Sequence, residues 1–169
     1  PAVRTFVRQL TVEAIEKEYG KVDAIAGVAT GGIALGALVA QELGLPFIYV
    51  RSKAKAHGLG NAIEGDLSVL SNVVVIEDLI STGQSSLKAV DALREAGVEV
   101  KGLIAIFTYG LPVAQAAFEA SPCKWLTLTD YPTMLDQALV EGYLNDDQRS
   151  LLDAWNSDPV AWSDAFESK

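Results

Sequence analysis

Apolar residues recur at three- and four-residue steps through VRTFVRQLTVEAIEKEY, a spacing that predicts a helix over 3–19, stopped by Gly20. Then the period changes. Residues 22–29 are almost wholly apolar and read as a buried strand, and the loop Thr30-Gly31-Gly32 leads into a helical run over 33–43. Gly44 closes that helix, Pro46 prevents its continuation, and Phe47-Ile48-Tyr49-Val50 reads as a short strand. Residues 51–65 (RSKAKAHGLGNAIEG) have no core periodicity and carry Gly58, Gly60 and Gly65, which predicts a long exposed loop or ribbon. Val73-Val74-Val75-Ile76 reads as a strand buried on both faces, with Glu77 and Asp78 where it reaches the surface. A Ser/Thr/Gly turn and a helix from Ser85 to Gly97 follow. Beyond these come a strand over 98–107, a helix over 113–119, a strand near 125–128 and helices around 132–141 and 146–155. Asn145, with Gln148 placed as its capping-box partner, starts the last of them.

Strands alternating with helices predict an α/β fold, a mostly parallel sheet with helices on both faces. There is no internal repeat, linker or low-complexity segment. The expectation is one domain over 1–155 and an acidic C-terminal extension over 156–169, with Trp155 and Trp162 covering apolar surface.

Composition narrows the picture. Half of the 169 residues are apolar, yet no run approaches the ~20 needed to span a bilayer, and the start shows no secretory signal. The single Cys123 excludes an internal disulfide and fits a reducing cytoplasm. A net charge of −9 argues against broad nucleic-acid binding, which needs a basic surface. An anionic ligand must therefore be captured locally, by a basic loop or a bound cation.

In parallel sheets ligands bind beyond the carboxyl ends of the strands. That rule puts Thr30-Gly31-Gly32, the segment from Arg51, the segment from Glu77, and Thr108-Tyr109 on one rim. The Ser81–Ser86 turn feeds a helix N-terminus, whose first amides lack intrahelical partners and carry about half a positive charge. Gly83 permits close backbone approach, and Ser81, Thr82, Ser85 and Ser86 add hydroxyl donors, a chemistry suited to phosphate. Glu77 and Asp78 would repel that phosphate; they suit ribose hydroxyls or a Mg²⁺ shared with the substrate. An ordinary βα turn with two solvated acids stays open as the plain alternative.

Arg51, Lys53, Lys55 and His57 fall at every second position, so in an extended segment all four share a face. Between Gly hinges they suit a mobile cationic arm over a polyphosphate, against the alternative of a solvated loop with incidental charge. Thr30-Gly31-Gly32 would present backbone amides to a second anionic group. No Walker A loop, GxGxxG or zinc-binding cluster is present. Two anion sites, an acidic pair between them and a basic arm describe a sugar phosphorylated at both ends.

The segment VVVIEDLISTGQSS resembles the phosphoribosyl-pyrophosphate motif of the type I phosphoribosyltransferases, and YVRSKAKAHGLGNAIEG resembles the catalytic loop of their orotate branch in its bacterial form. The similarity runs from Pro1 to about Trp155. It implies the type I phosphoribosyltransferase fold and Mg²⁺-dependent transfer of phosphoribosyl from phosphoribosyl pyrophosphate to orotate, in pyrimidine biosynthesis. Arg51, Lys55 and His57, with Lys53 close by, would bind the pyrophosphate, Lys55 and His57 acting in trans in a cytoplasmic homodimer with shared sites. Glu77 and Asp78 would hold the ribose hydroxyls, Asp78 also favouring the oxocarbenium-like transition state. Ser81, Thr82, Gly83, Gln84 and Ser85 would wrap the 5′-phosphate, Ser81 also touching orotate, Leu79 and Ile80 would belong to the same substrate-binding stretch, and Thr30-Gly31 would meet the pyrophosphate. Mg²⁺ would bridge substrate oxygens with few direct protein ligands. A purine phosphoribosyltransferase and a non-catalytic phosphoribosyl-pyrophosphate-binding regulator are the alternatives; the basic arm disfavours the first and the acidic charge the second.

Departures from the motif are Gln84 for a second Gly, Ala62 for Gln, and Gly110 for Glu. Family members also carry a few dozen residues before the position of Pro1, including a hood over the orotate ring. The expectation is that this chain, which starts without Met, lacks that hood.

Overall fold

The apolar runs become the strands of one sheet. The computed structural model describes residues 1–51, 62–68 and 70–167. In chain order the elements are α1 (Ala2–Glu18), β1 (Ala24–Val28), α2 (Gly31–Leu43), β2 (Phe47–Val50), β3 (Ile63–Glu64), β4 (Asn72–Ile80), α3 (Gln84–Glu95), β5 (Glu99–Thr108), α4 (Pro112–Glu119), β6 (Trp125–Asp130), α5 (Tyr131–Val140), α6 (Asp146–Ser157) and α7 (Pro159–Glu167). The strand order is β3-β2-β1-β4-β5-β6. Every pairing is parallel except that of β3, which runs antiparallel to β2 at the edge.

Alternation along the central strands sorts the core into two layers. Ala24, Ala26, Val73, Val75 and Leu103 face α3 (Ala89, Val90, Leu93) and α4 (Ala114, Phe118). Ile25, Val74, Ile76 and Ile104 face α1 (Ile15, Tyr19) and α2 (Leu35, Val39, Ala40). Val73 through Ile76 have no exposure at all, as a strand covered on both sides requires. No described helix is long and apolar enough to cross a membrane.

Three differences from the sequence pattern matter for the site. β4 does not end at Ile76: register with β5 continues through Glu77↔Ala105, Leu79↔Phe107 and Ile80↔Thr108, so both carboxylates lie inside the strand. α2 starts at Gly31, two residues before the apolar pattern begins, with Thr30 as its N-cap. The reason is packing: a Cβ on Gly32 would strike the Ile76 carbonyl, so only glycine lets this first turn abut β4. Third, the expected loop or ribbon over 51–65 includes a short paired strand, β3, at its far end. The Arg51 amide donates to the Ala62 carbonyl at 2.7 Å, continuing the Val50↔Ile63 register of β2 and β3. A two-residue strand is too short to show a period.

At the other end, Asn145 and Gln148 form the expected capping box, each side chain accepting from the other's amide at 2.9 and 3.0 Å. Trp155 of α6 packs 5.6 Å (ring centroids) from both Tyr109 and Tyr131, bracing the segment after β5.

Candidate functional site

The sheet's order creates the site. β1 pairs with β2 on one side and β4 on the other, so the chain winds outward in opposite directions from the β1/β4 pair. Crossovers between parallel strands are right-handed, which forces α2, after β1, and α3, after β4, onto opposite faces. The two core layers show that placement. A crevice opens beyond the carboxyl ends of β1 and β4, and both helix N-termini point at it. Neither end has a side-chain cap among the described residues: Thr30 makes none for α2, and Gly83 has none to give for α3. Two sets of free helix amides therefore flank one crevice.

The α2 side is built by contact. The Ala29–Thr30 peptide is cis, and the Ala29 amide donates to the Val50 carbonyl at 2.8 Å, tying the turn to β2. A Cβ at Gly31 would overlap the Asp78 carboxylate, so the Thr30-Gly31 turn and Asp78 touch. Their lack of separation could not be read from a spacing of 47 positions.

On the α3 side, Gly83 takes φ 77° as N-cap, a left-handed conformation that favours glycine, and a Cβ there would lie 2.8 Å from the Phe118 ring. Ser81 and Thr82 are half-buried, while Gln84 and Ser85, in the first turn of α3, are exposed. The first helical position of α3 is filled by Gln84, an exposed residue whose backbone amide stands at the helix N-terminus. Leu79 is 37% exposed, but Ile80 is fully buried. The Ile80 carbonyl accepts from the Tyr109 amide and the Thr108 hydroxyl, both at 3.2 Å, which binds the ends of β4 and β5 together.

The two carboxylates point to opposite faces. Asp78 is exposed on the α2 side, where it meets Gly31 and accepts from the Leu79 amide at 2.9 Å. Glu77 turns toward α3, is 4% exposed, and accepts from Ser86 Oγ at 3.0 Å and from the Asp78 amide at 3.1 Å. Burial away from water pushes the Glu77 carboxyl up to about 8, a shift the Ser86 hydrogen bond opposes. Sequence alone offers Ser86 as one more hydroxyl for an anion; the structure turns it inward, with no exposure. Only a three-dimensional neighbour reveals that role.

Of the basic arm, Arg51 is described: its guanidinium lies 3.2 Å from Glu64 in β3, half-buried at the sheet edge. Lys53, Lys55 and His57 lie outside the described residues. Among the described residues no three His, Cys, Asp or Glu side chains gather as a metal cage. The arrangement can hold an anion at each helix end and place an exposed carboxylate between them.

The family described as "Phosphoribosyl transferase domain" matches residues 1–111. Over 96% of its length the chain is 55% identical to the orotate phosphoribosyltransferase of Phocaeicola vulgatus, covering 76% of that protein. The orotate phosphoribosyltransferase of Aeropyrum pernix superposes with a TM-score of 0.72 at 27% identity, over 83% of this chain and 77% of that one. Leishmania donovani UMP synthase gives a TM-score of 0.76 at 25% identity, covering 92% of this chain and 33% of that one.

Proposed function

Since the chain belongs to the orotate phosphoribosyltransferase family and has its type I fold, we propose that it joins orotate to the phosphoribosyl group of phosphoribosyl pyrophosphate, releasing pyrophosphate and forming orotidine 5′-monophosphate for pyrimidine nucleotide synthesis. The observation that carries this reading is the β1/β4 crevice: two uncapped helix N-termini on opposite faces, with exposed Asp78 against Gly31 between them. A sugar carrying phosphate at C5′ and pyrophosphate at C1′ matches that layout at both ends.

In this mechanism the α3 end, Ser81 through Ser85, binds the 5′-phosphate through backbone amides and hydroxyls. The α2 end and Arg51 receive the pyrophosphate, the Arg51 guanidinium having donors beyond the one that meets Glu64. Orotate N1 bonds to C1′ as the C1′–oxygen bond breaks, that bond's electron pair leaving with pyrophosphate and the N1 proton passing to the departing pyrophosphate or to water. Positive charge grows on the ribose ring during that exchange. Asp78, negative and exposed, lies where it would stabilise such a ring, and fixed charges outperform water because they need no reorientation. Lys55 and His57 would close over the leaving group, supplied by the partner chain of a homodimer.

The donor set also bears on Mg²⁺. Two carboxylates facing opposite sides of a strand form no cage, whereas Mg²⁺ keeps waters and favours substrate phosphate oxygens. The residues fit an ion carried in by the substrate, which would neutralise part of the pyrophosphate charge. We further propose a cytoplasmic location, supported by the lone Cys123.

The deciding measurement mixes the protein with Mg²⁺, phosphoribosyl pyrophosphate and orotate and follows loss of orotate ultraviolet absorbance, with adenine, guanine and hypoxanthine in parallel. Turnover of orotate alone is expected. Turnover of a purine without orotate would overturn the base assignment.

A further inference from the structure

Glu77 is a carboxylate at 4% exposure whose two described hydrogen bonds reach different parts of the site. Its Oε1 accepts from the backbone amide of Asp78, the residue that faces the ribose. Its Oε2 accepts from Ser86 Oγ in the first turn of α3, the turn whose free amides form the phosphate end. No Lys or Arg pairs with Glu77 among the described residues; the Asp78 amide and the Ser86 hydroxyl are its described partners. A helical serine ordinarily turns its hydroxyl back to the carbonyl one turn earlier or out to water. Ser86, fully buried, instead reaches across to the strand.

We propose that Ser86 is a positioning residue: by holding Glu77, it fixes the distance and angle between the phosphate-binding turn of α3 and Asp78. This rests on the reading of the crevice as a phosphoribosyl site. One carboxylate grips both ends of the ribose phosphate subsite, so the hydroxyl that holds the carboxylate sets their spacing. A carboxylate oxygen accepts more than one hydrogen bond, so the anchoring leaves Glu77 able to meet a ribose hydroxyl as well. The site's geometry is thereby shared between a helix and a strand that no covalent turn alone makes rigid, because residues 81–83 lie between them.

A spacing role predicts selective damage. Ser86→Ala removes the donor with little change of volume, leaving Glu77 held at one oxygen. Binding is measured by calorimetry with two probes, inorganic phosphate and ribose 5-phosphate, in the wild-type protein and in Glu77→Ala, which has no side-chain acceptor. Inorganic phosphate needs only the α3 turn, so its affinity should stay within about twofold. Ribose 5-phosphate needs turn and Asp78 in register, so its affinity should fall by about fivefold, a lost hydrogen bond's worth. In the Glu77→Ala background, where no acceptor remains for Ser86, the same change should cost less than about twofold, since Ser86 acts through Glu77. Ser86→Thr, which keeps the hydroxyl, should restore most of the loss. Equal losses for both probes would mean that Ser86 only holds up the helix end, and would overturn the proposal. So would unchanged ribose 5-phosphate affinity, or a loss that persists in Glu77→Ala. Should Ser86→Ala melt at the assay temperature, Ser86→Cys, which keeps the volume with a weaker donor, must give an intermediate selective loss or the proposal fails. These readouts use no orotate, so they stand or fall separately from the base assignment.

Discussion

At the scale of single residues, Gly31 and Glu77 make the sharpest statements. Gly31 sits in the first turn of α2 with no room for a Cβ, because the Asp78 carboxylate occupies that space. A carboxylate on a flexible stem can swing away, and alanine favours a helix over glycine by about 0.5–1 kcal/mol. Gly31→Ala should therefore leave the unfolding temperature unchanged or slightly higher while kcat/KM for phosphoribosyl pyrophosphate falls at least about tenfold; retained kcat/KM would show that Asp78 need not stay where it is. Glu77 yields a pH prediction. Burial raises its carboxyl from 4.5 to about 8, so between those values the folded protein holds a proton that the unfolded chain has released. Its contribution to stability is fully present below about pH 4.5 and is lost as pH rises toward and through 8. Glu77→Gln cannot titrate, so its melting temperature should gain on the wild type between pH 5.5 and 8.5. Parallel melting curves across that range would contradict a raised carboxyl. Sequence showed that both acids stood at the rim, because a buried apolar run stops just before them. It did not show that one is buried, since direction along a strand depends on where pairing ends, and β4 pairs with β5 four residues beyond Ile76.

At the scale of elements, the strand and helix periods were legible because each central strand is covered on both faces and each covering helix on one. Helix ends at Gly20 and Gly44, both at positive φ, were legible for the same local reason. β3 was not, and α2 began early because its first two residues are glycines chosen for contact with β4 rather than for apolar pattern. β3 is paired at the sheet edge beside the arm: the Arg51 amide donates to the Ala62 carbonyl at 2.7 Å. On the proposed reading, the arm can be disabled without touching the crevice. Lys55→Ala should lose turnover by a factor of about 100 or more, as removal of a charge that meets the leaving group does, while 5′-phosphate affinity by calorimetry stays within about threefold. Turnover at the wild-type rate would remove Lys55 from the chemistry.

At the scale of the molecule, a chain of net charge −9 that takes a highly anionic substrate must confine its attraction to a few points. The helix ends and Arg51 are such points, and the homodimer we propose would add the partner's arm. Mixing inactive Lys55→Ala chains with inactive Asp78→Asn chains should return part of the activity, because one mixed site would then have both an intact arm and an intact Asp78. Silence after confirmed subunit exchange would place the arm in cis. The winding order that builds the crevice was only half legible: alternating elements imply a parallel sheet, but no local pattern says which strands lie at its centre. That order carries one more consequence. Because α2 and α3 stand on opposite faces of the sheet, the two products of the proposed reaction end in separate hands once the bond at C1′ is cut. On the proposed assignment, pyrophosphate would remain at the α2 end and the nucleotide at the α3 end, with the end of β4 between them.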